Sequence, residues 1–325
     1  MLQVESLEVS LPGPRGTARA LRGIDFAMQR GETVGLIGES GCGKSMTALA
    51  LMGLLPQGAL VSGSIRFDGR ELVGLDDAAL CDLRGQRIAM IFQEPMTALN
   101  PLHRVGDQVA EPLRQHRGVG RREARAEALR LLERVHLPQA RQRLDAWPHQ
   151  LSGGQRQRVM IAAALACGPD LLIADEPTTA LDVTIQREIL DLIAELVADS
   201  GMALLLISHD LGVMARSVDR VMVMYGGSVV ESGPTAAVFE RLAHPYTRGL
   251  FGARPRLGAA RGHKLATIPG RVPDLVDMPA GCPFADRCSW VVDACRAAPP
   301  PPLSVGASHR ARCIRVDDVL RSPRP

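Results

Sequence analysis

The most informative stretch of this 325-residue sequence is Gly38-Glu39-Ser40-Gly41-Cys42-Gly43-Lys44-Ser45, followed by Met46. It fits the pattern G-x-x-x-x-G-K-[ST] in full. The glycines let the backbone curl so that successive N–H groups face phosphate oxygens, the lysine adds a positive charge, and the serine hydroxyl can bind Mg²⁺. We therefore predict that these residues, including Met46, form a loop that binds nucleotide phosphates.

The flanking sequence has the strand and the helix that such a loop requires. Residues 33–38 form a short apolar run typical of a buried strand, and residues 46–55 have the pattern of an apolar helix. Similar apolar runs follow, and helical patterns separate them. This alternation predicts an α/β fold with a mainly parallel sheet, whose further strands are residues 88–92, 171–174, 203–208 and 220–224.

Residues 114–143 form a long arginine-rich stretch between the second and third predicted strands. Its apolar residues recur at helical spacing, so we predict helices inserted into the α/β body. The arginines are interpreted as a solvent-exposed face, because no aromatic side chains suited to stacking on bases lie between them. We therefore expect no nucleic-acid partner. The residues that carry the helical pattern are Ala124, Ala128, Leu131, Leu132 and Val135.

Two adjacent carboxylates, Asp175 and Glu176, follow the apolar run at residues 171–174. At the C-terminal edge of a parallel strand beside a phosphate loop, Asp175 is placed to bind Mg²⁺ and Glu176 to polarise an attacking water. An Asp-Glu pair alone is more often part of a solvated turn, because acidic side chains prefer the surface. Together with the phosphate loop, the pair predicts phosphoryl-transfer chemistry.

A second candidate anion site is the segment Leu151-Ser152-Gly153-Gly154-Gln155-Arg156-Gln157-Arg158. It precedes an apolar helix predicted over residues 159–167. The polar start of this segment would then lie at a helix N-terminus, where anions bind. By itself the segment could also be only an N-cap and a flexible turn. The residues of this candidate site are Ser152, Gly153, Gly154 and Gln155.

With these elements in place, the sequence resembles the nucleotide-binding subunits of ABC proteins. The phosphate loop, the signature segment at 151–158, the strand ending in Glu176 and the tetrapeptide Ile207-Ser208-His209-Asp210 occur in that family's order and approximate spacing. The resemblance implies a P-loop ABC ATPase core over residues 1–242, with a mainly parallel sheet, a β subdomain and a helical subdomain inserted at about residues 94–168. It also implies ATP and Mg²⁺ as cofactors.

The resemblance implies catalytic roles for individual residues. Gln93 looks like the glutamine that senses Mg²⁺ and the γ-phosphate. His209 looks like the histidine that contacts the γ-phosphate and helps to hold the attacking water. Glu176, His209 and Gln93 are then the catalytic residues. The Mg²⁺ ligands are Ser45, Gln93 and Asp175.

The resemblance further implies a dimer of ATPase domains that close head to tail. Asp182 would lie near the interface between them. The signature residues of one domain would face ATP bound to the phosphate loop of the other, so a single subunit should hydrolyse ATP poorly. The residues in this position are Ser152, Gly153, Gly154 and Gln155.

One feature departs from the family pattern. An aromatic residue about 30 positions before the phosphate-loop lysine usually stacks on adenine, but residues 7–23 contain no Phe, Tyr or Trp. Leu11 or Arg15 could replace it, through apolar or cation–π contact respectively. Selectivity for ATP over GTP is therefore open at the level of sequence.

Charge and composition change near residue 243. Residues 241–325 contain 14 Arg and Lys against 6 Asp and Glu, a net charge of +8, which leaves 24 against 29 and a net charge of −5 for residues 1–240. The later part is also rich in proline and glycine, and its strand and helix patterns fade. We therefore predict a Cys/Pro-rich C-terminal extension over residues 243–325.

The extension resembles that of oligopeptide and dipeptide importer ATPases. This branch also includes importers of nickel and of some sugar oligomers. The resemblance implies as partners two transmembrane permeases, a second ABC ATPase in a heterodimer, and an extracytoplasmic substrate-binding protein. The segments that carry it are His244-Pro245-Tyr246-Thr247, Ile268-Pro269-Gly270, and Gly281-Cys282-Pro283-Phe284 with Arg287-Cys288.

The expected location is peripheral, on the cytoplasmic face of the inner membrane. The first residues show no basic segment followed by an apolar stretch, so we expect no secretory signal, and no run is long and apolar enough to span a bilayer. A rival interpretation is a soluble ABC ATPase that acts on nucleic acid or in translation. The short distance between Lys44 and Ser152 and the single cassette disfavour it.

Four of the seven cysteines lie in the extension, spaced C-x5-C-x6-C-x17-C. This spacing matches neither paired CxxC zinc ribbons nor the close-set ferredoxin pattern. Four thiols in a proline-rich segment are nevertheless suited to a structural site. The alternatives are a [4Fe-4S] cluster, zinc, unliganded thiols, or disulfides, which a reducing compartment disfavours. The candidate ligands are Cys282, Cys288, Cys295 and Cys313.

Overall fold

The computed structural model describes residues 1–94, 98–179, 181–254 and 267–324. Lys264, one of the two lysines of the chain, lies outside the described residues. Two sheets organise the described part. The smaller is antiparallel, in the order β2-β1-β4-β5, with β1 Leu2–Gly13, β2 Gly16–Met28, β4 Leu60–Phe67 and β5 Arg70–Glu71. It is the β subdomain expected from the family resemblance.

The larger sheet follows the order β11-β12-β10-β9-β3-β8-β7-β6. Strands β9, β3, β8, β7 and β6 are mutually parallel, and β10, β12 and β11 extend the sheet in antiparallel fashion. The strands are β3 Thr33–Ile37, β6 Ile88–Ile91, β7 Leu171–Asp175, β8 Ala203–Ile207, β9 Arg220–Tyr225, β10 Ser228–Pro234, β11 Leu303–Gly306 and β12 His309–Ala311.

The helices pack on the larger sheet and beside it. None of those in the described residues is long and apolar enough to cross a membrane. Their bounds are α1 Lys44–Met52, α2 Asp77–Cys81, α3 Val105–Arg117, α4 Arg121–Arg134, α5 Ala140–Arg143, α6 Gly153–Ala164, α7 Val183–Ser200, α8 Leu211–Ser217, α9 Thr235–Arg241, α10 Pro245–Gly252, α11 Asp293–Ala297 and α12 Val316–Arg321. Short 3-10 helices span Pro148–Gln150 and Ala285–Arg287.

The predicted α/β fold is confirmed. The five predicted strands agree with β3, β6, β7, β8 and β9 to within one residue at each end. Strands β7 and β8 are buried along their whole length. A strand of a parallel sheet that is covered on both faces has a continuous run of apolar residues. Such runs are visible in the sequence, so these strands could be predicted.

Several predicted helix bounds were wrong. Helix α1 begins at Lys44 rather than at residue 46 and ends at Met52, because Gly53 adopts a left-handed conformation with φ 62° that closes the helix. Helix α6 begins at Gly153, six residues before the predicted start at 159. The predicted stretch 114–143 is three helices, interrupted at Gly118 with φ 63° and at Gln139 with φ 56°.

The described residues of the C-terminal segment, 243–254 and 267–324, contain more helix and strand than their sequence pattern indicated. The hairpin of β11 and β12 joins the larger sheet, where Glu231 of β10 pairs with Ala311. A cluster of aromatic residues packs α10 and the following segments onto the end of β9; the ring centroids of Tyr225 and Tyr246 are 4.7 Å apart, and those of Tyr225 and Phe284 are 5.2 Å apart. The C-terminal segment therefore shares both sheet and core with the ATPase body, and a boundary at residues 242–243 stays a prediction.

Candidate functional site

The predicted phosphate loop connects β3 to α1, as its motif requires. Gly43 has φ 107°, and a Cβ there would lie 2.9 Å from Leu21 Cδ2, so this tight turn needs glycine. Lys44 is buried, and its Nζ donates to the carbonyl oxygens of Gly38 at 2.8 Å and Glu39 at 3.1 Å. These contacts fix the lysine in the concave side of the loop. Burial raises the pKa of the Cys42 thiol.

Asp175 ends β7 beside the phosphate loop. It is 3% exposed, and its Oδ1 has no hydrogen-bond partner in the described part of the chain. Burial raises the pKa of this carboxyl group, and a hydrogen bond from Ser45 opposes the shift. An unpartnered buried carboxylate oxygen next to a serine hydroxyl is a donor set that suits Mg²⁺, which prefers oxygen ligands.

The Glu176 carboxylate lies close to side chains from distant parts of the sequence. Its Oε2 accepts from Gln93 Nε2 at 3.4 Å and from Thr179 Oγ1 at 3.1 Å, and lies 3.3 Å from His209 Nδ1. Its Oε1 lies 3.9 Å from Lys44 Nζ. Glu176 has φ 45°, a strained conformation for a residue with a side chain, of the kind that folded proteins retain at functional sites. All three residues predicted to be catalytic therefore meet at one point.

A pocket opens in front of these groups. Its walls include Met46, at the start of α1, and Leu11 from β1, which the sequence offered as one replacement for the missing aromatic residue. Arg15, the other candidate, instead forms ion pairs with Asp274 and Asp277. The remaining lining residues are Ala20, Ser40, Gly41, Gly43, Lys44, Ser45, Gln93, Glu176 and Leu275.

The signature residues do not line this pocket. Ser152 caps α6: its hydroxyl accepts from Gln155 N at 3.3 Å, and the Gln155 side chain accepts from Ser152 N at 3.1 Å. A Cβ on Gly154 would lie 2.8 Å from Ile185 Cγ2, so this glycine lets α6 pack closely on α7. Gly153 opens α6. The N-cap interpretation of Ser152 is therefore correct, and the binding of an anion by this segment stays a prediction.

Asp182 is also an N-cap. Its carboxylate accepts from Ile185 N at 3.0 Å at the start of α7. Asp182 is exposed, and its carboxylate lies close to Ile185, the residue on which Gly154 of α6 packs. Its position is compatible with a subunit interface, which stays a prediction.

Sequence reasoning missed three residues that reach the site from the C-terminal segment. Leu275 lines the pocket. Tyr246 and Arg287 contact Glu39 of the phosphate loop. Tyr246 and Arg287 lie inside the motifs that resemble the peptide-importer extension, but the resemblance gives them no role at the phosphate loop. No local pattern indicates a contact between residues more than two hundred positions apart.

The four cysteines of the extension line one small apolar cavity. All are free thiols, so no disulfide forms among them. Burial raises the pKa of Cys288 to about 11 and that of Cys313 to about 12. In the described part of the chain, no group of three or more His, Cys, Asp or Glu side chains is arranged to hold a metal ion. The predicted metal site is therefore not formed in this structure, although its four thiols have converged.

Comparison with known proteins agrees with this geometry. Residues 21–179 match the family model described as ABC transporter, and residues 230–295 match the model described as Oligopeptide/dipeptide transporter, C-terminal region. A peptide import ATP-binding protein of Brucella melitensis biotype 1 is 53% identical over 312 residues, which cover 92% of each chain. The chain belongs to the ATP-binding proteins of ABC transporters. It is an ATPase coupled to transport, as the motifs predicted.

Other relatives support this assignment. The oligopeptide transport ATP-binding protein OppD of Salmonella typhimurium is 49% identical over 300 residues, covering 92% of this chain and 89% of that one. Among solved structures, the ATP-binding cassette MJ0796 in a dimeric post-hydrolysis state bound to ADP and Pi matches with a TM-score of 0.66 and 30% identity. The match covers 72% of this chain and 99% of that one. The ABC ATPase fold is thereby confirmed.

Proposed function

We propose that this ABC ATPase powers the uptake of dipeptides and oligopeptides across the cytoplasmic membrane. The observation that carries the proposal is that one chain combines a match to the ABC transporter family at 21–179 with a segment at 230–295 that matches the C-terminal region of oligopeptide and dipeptide transporters. Relatives that match this chain along nearly its full length have peptide import or oligopeptide transport in their names. Nickel and sugar-oligomer import are the alternatives within the same branch.

The proposed mechanism assigns tasks to the phosphate loop and to the polar residues beside it. The N–H groups of the phosphate loop and Lys44 bind the phosphates of ATP. Ser45, Asp175 and Gln93 would hold Mg²⁺, which would supply positive charge against the phosphates. Glu176 accepts a proton from the attacking water. His209, whose Nδ1 lies 3.3 Å from Glu176 Oε2, orients that water together with the carboxylate.

We propose that the signature segment serves a second ATPase subunit. The residues at the N-terminus of α6, which carries the positive end of the helix dipole, do not line the pocket of their own chain. Asp182 lies beside it. In a head-to-tail dimer these residues bind ATP held by the partner, and the partner of this chain is a different ABC ATPase. The residues involved are Ser152, Gly153, Gly154 and Gln155.

The remaining partners are the proteins that a peptide importer needs besides its ATPases. We propose that two transmembrane permeases bind this subunit at the cytoplasmic face of the inner membrane, and that an extracytoplasmic binding protein delivers the peptide to them. The chain is then a peripheral membrane protein. We retain residues 1–242 as the nucleotide-binding domain, with a helical subdomain at about 94–168, and residues 243–325 as the extension.

We propose a [4Fe-4S] cluster, with zinc as the alternative, on Cys282, Cys288, Cys295 and Cys313. The support is that all four cysteines line one cavity, to which Cys313 comes from beyond the β11–β12 hairpin. That cavity measures about 10 Å³, roughly the room that one water molecule needs. Binding a cluster therefore requires the thiols to move apart around it and to lose their protons.

Replacement of Glu176 in the assembled complex tests the proposed function. Wild-type complex should take up labelled tripeptide or pentapeptide into proteoliposomes when ATP is supplied on the side of the membrane that carries the ATPase. The Glu176→Gln complex should bind ATP but lose hydrolysis and uptake together. Unchanged hydrolysis would contradict the catalytic role. Uptake of nickel or a sugar oligomer instead of peptide would contradict the substrate, and co-purification with nucleic acid rather than permeases would contradict transport.

A further inference from the structure

Glu39, the second residue of the phosphate loop, is bound on three sides. Its N–H donates to the Tyr246 hydroxyl at 2.7 Å. Its carbonyl oxygen accepts from Lys44 Nζ at 3.1 Å. Its carboxylate accepts from both terminal nitrogens of Arg287, at 2.6 and 3.1 Å. Two of these three partners belong to the C-terminal segment, so that segment fixes the backbone and the side chain of a phosphate-loop residue.

Arg287 is itself rigidly placed. Its side chain is 5% exposed, and its Nε donates to the Pro269 carbonyl oxygen at 2.8 Å. The guanidinium carbon lies 5.7 Å from the ring centroid of Tyr225 and 5.8 Å from that of Phe284. A bidentate pair between a guanidinium and a carboxylate is strong and directional, and more so where water is largely excluded. Arg287 therefore determines where the carboxylate of Glu39 lies.

The position of Glu39 affects Lys44 directly. The lysine ammonium is bound by the carbonyl oxygens of Gly38 and Glu39, which belong to consecutive residues. A displacement of Glu39 moves one of these acceptors and changes the start of the loop. Lys44 is the residue that places positive charge at the phosphates, so the effect reaches ATP binding without any contact between Arg287 and ATP.

We propose that Arg287 is a positioning residue of the ATP site. Through Glu39 it holds the phosphate loop in the conformation that binds phosphates, and Tyr246 supports it by binding the same residue. This inference rests on the proposed function only in that the chain binds and hydrolyses ATP. The C-terminal segment then contributes to ATP binding, in addition to any role in partner binding.

The test uses full-length chain in the assembled transporter and separates KM for ATP from kcat. Arg287→Ala should raise KM about tenfold and lower kcat less. Arg287→Lys keeps the charge but not the two-pronged geometry, so it should recover only part of the affinity. The matched control is Arg296→Ala, which removes an ion pair to Asp286 that lies in the same segment with both side chains more than half exposed; its KM should stay at the wild-type value.

A double-mutant cycle distinguishes positioning from a general loss of stability. Glu39→Gln should raise KM by a similar factor, and the double variant Glu39→Gln with Arg287→Ala should be no worse than either single variant. Independent, multiplying effects would overturn the proposal, and so would a KM within twofold of wild type for both single variants. If Arg287→Ala does not fold, Arg287→Lys and Glu39→Gln decide the matter. Absence of hydrolysis in the wild-type complex would instead count against the proposed function.

The pocket also has an apolar part to its lining. Leu11 and Leu275 both line the pocket, together with Ser40 and Gly41. The loop that carries Leu275 contacts the β1–β2 hairpin: Arg15 forms ion pairs with Asp274 and Asp277, and Val276 Cγ1 lies 4.0 Å from the position that a Cβ on Gly16 would occupy. Two leucines from distant parts of the chain thus face the same space.

We propose that Leu275 and Leu11 form an apolar slot for the purine base, which replaces stacking on an aromatic side chain. Apolar side chains contact the face of any purine and make no hydrogen bond to its edge, so the slot should distinguish ATP from GTP poorly. Leu275→Ala should raise KM for ATP and GTP by the same factor, about threefold to tenfold. Leu303→Ala, at an exposed leucine of the same segment, is the control. An unchanged KM in Leu275→Ala, or a change for one nucleotide alone, would overturn this assignment.

Discussion

The Nδ1 atom of His209 lies 3.3 Å from the Oε2 atom of Glu176, which joins the residue after β7 to the loop after β8. The His209 side chain is 72% exposed, whereas that of Glu176 is 16% exposed. The carboxylate is therefore held within the site, and the imidazole approaches it from the open side. A water between them and the γ-phosphate would contact both groups.

Replacement of His209 should affect turnover far more than ATP binding. His209→Ala removes a group that orients the attacking water, and loss of such a group typically costs a factor of about 10² to 10⁴ in rate. We expect kcat in the assembled complex to fall by about this factor, with the Kd for ATP within threefold of wild type. A fall in ATP affinity with kcat preserved would assign His209 to binding instead.

Asp175→Asn should weaken the response to Mg²⁺. The substitution keeps the shape of the side chain but removes the charge of a buried carboxylate whose Oδ1 is free of hydrogen bonds within the described residues. The Mg²⁺ concentration needed for half-maximal hydrolysis should rise at least tenfold. Asp191→Asn, at an aspartate that is 75% exposed, should leave it unchanged. An identical Mg²⁺ titration for Asp175→Asn would exclude Asp175 as a ligand.

Gly154 should tolerate no side chain. A Cβ there would lie 2.8 Å from Ile185 Cγ2, so Gly154→Ala forces α6 and α7 apart. Overpacking of this kind costs about 1–3 kcal/mol in the free energy of unfolding, which urea denaturation can measure. Adding Ile185→Ala should restore part of the loss. Gly120→Ala is the control, since nothing lies within 4 Å of its Cβ position and its φ is −66°. Equal effects at both glycines would contradict the steric explanation.

The parts of the fold that the sequence predicted depend on local chemistry. The phosphate loop is one contiguous motif, so its glycines and its lysine are recognised together in the sequence. Strands β7 and β8 are aliphatic runs that are buried on both faces. Helix ends were less accurate, because a single left-handed residue such as Gly53 or Gln139 ends or starts a helix against the apolar pattern.

The missed features depend on long-range packing. Arg287 and Glu39 are 248 positions apart, and Glu231 pairs with Ala311 across a gap of 80 residues. Each residue has an ordinary local environment in the sequence, and only the folded chain brings it to its partner. The catalytic triplet around Glu176 is equally distant in sequence but was predicted, because the family resemblance supplied the roles that spacing alone does not.

Metal analysis should decide what the four cysteines of the extension bind. We expect full-length chain purified without oxygen to contain about four iron and four acid-labile sulfide per chain, the stoichiometry of the proposed cluster. Cys313→Ser should lose both, and Cys81→Ser, at an exposed cysteine of the ATPase body, should lose neither. Because the bound thiols must be deprotonated, retention should weaken as pH falls. One zinc per chain, or four titratable thiols without metal, would each refute the cluster.

His244 should make the protein less stable in mild acid. Its side chain is 1% exposed, and its Nδ1 accepts from Tyr246 N at 3.1 Å at the start of α10. Burial lowers the pKa of His244 to about 4, against about 6.5 in an unfolded chain. The buried carboxylate of Glu231 accepts from the backbone N–H of His244 at 2.9 Å, and its negative charge opposes part of this shift in pKa.

The sign of the pH effect follows from proton binding. Between about pH 6.5 and pH 4 the unfolded chain binds a proton at His244 that the folded chain does not, so the free energy of unfolding should fall as pH falls through this range, by at most about 1.4 kcal/mol per unit. His244→Asn keeps an acceptor for Tyr246 N and should flatten this slope, whereas His149→Asn, at an exposed histidine, should not. Urea denaturation at several pH values measures both slopes, and equal slopes for wild type and His244→Asn would contradict the assignment.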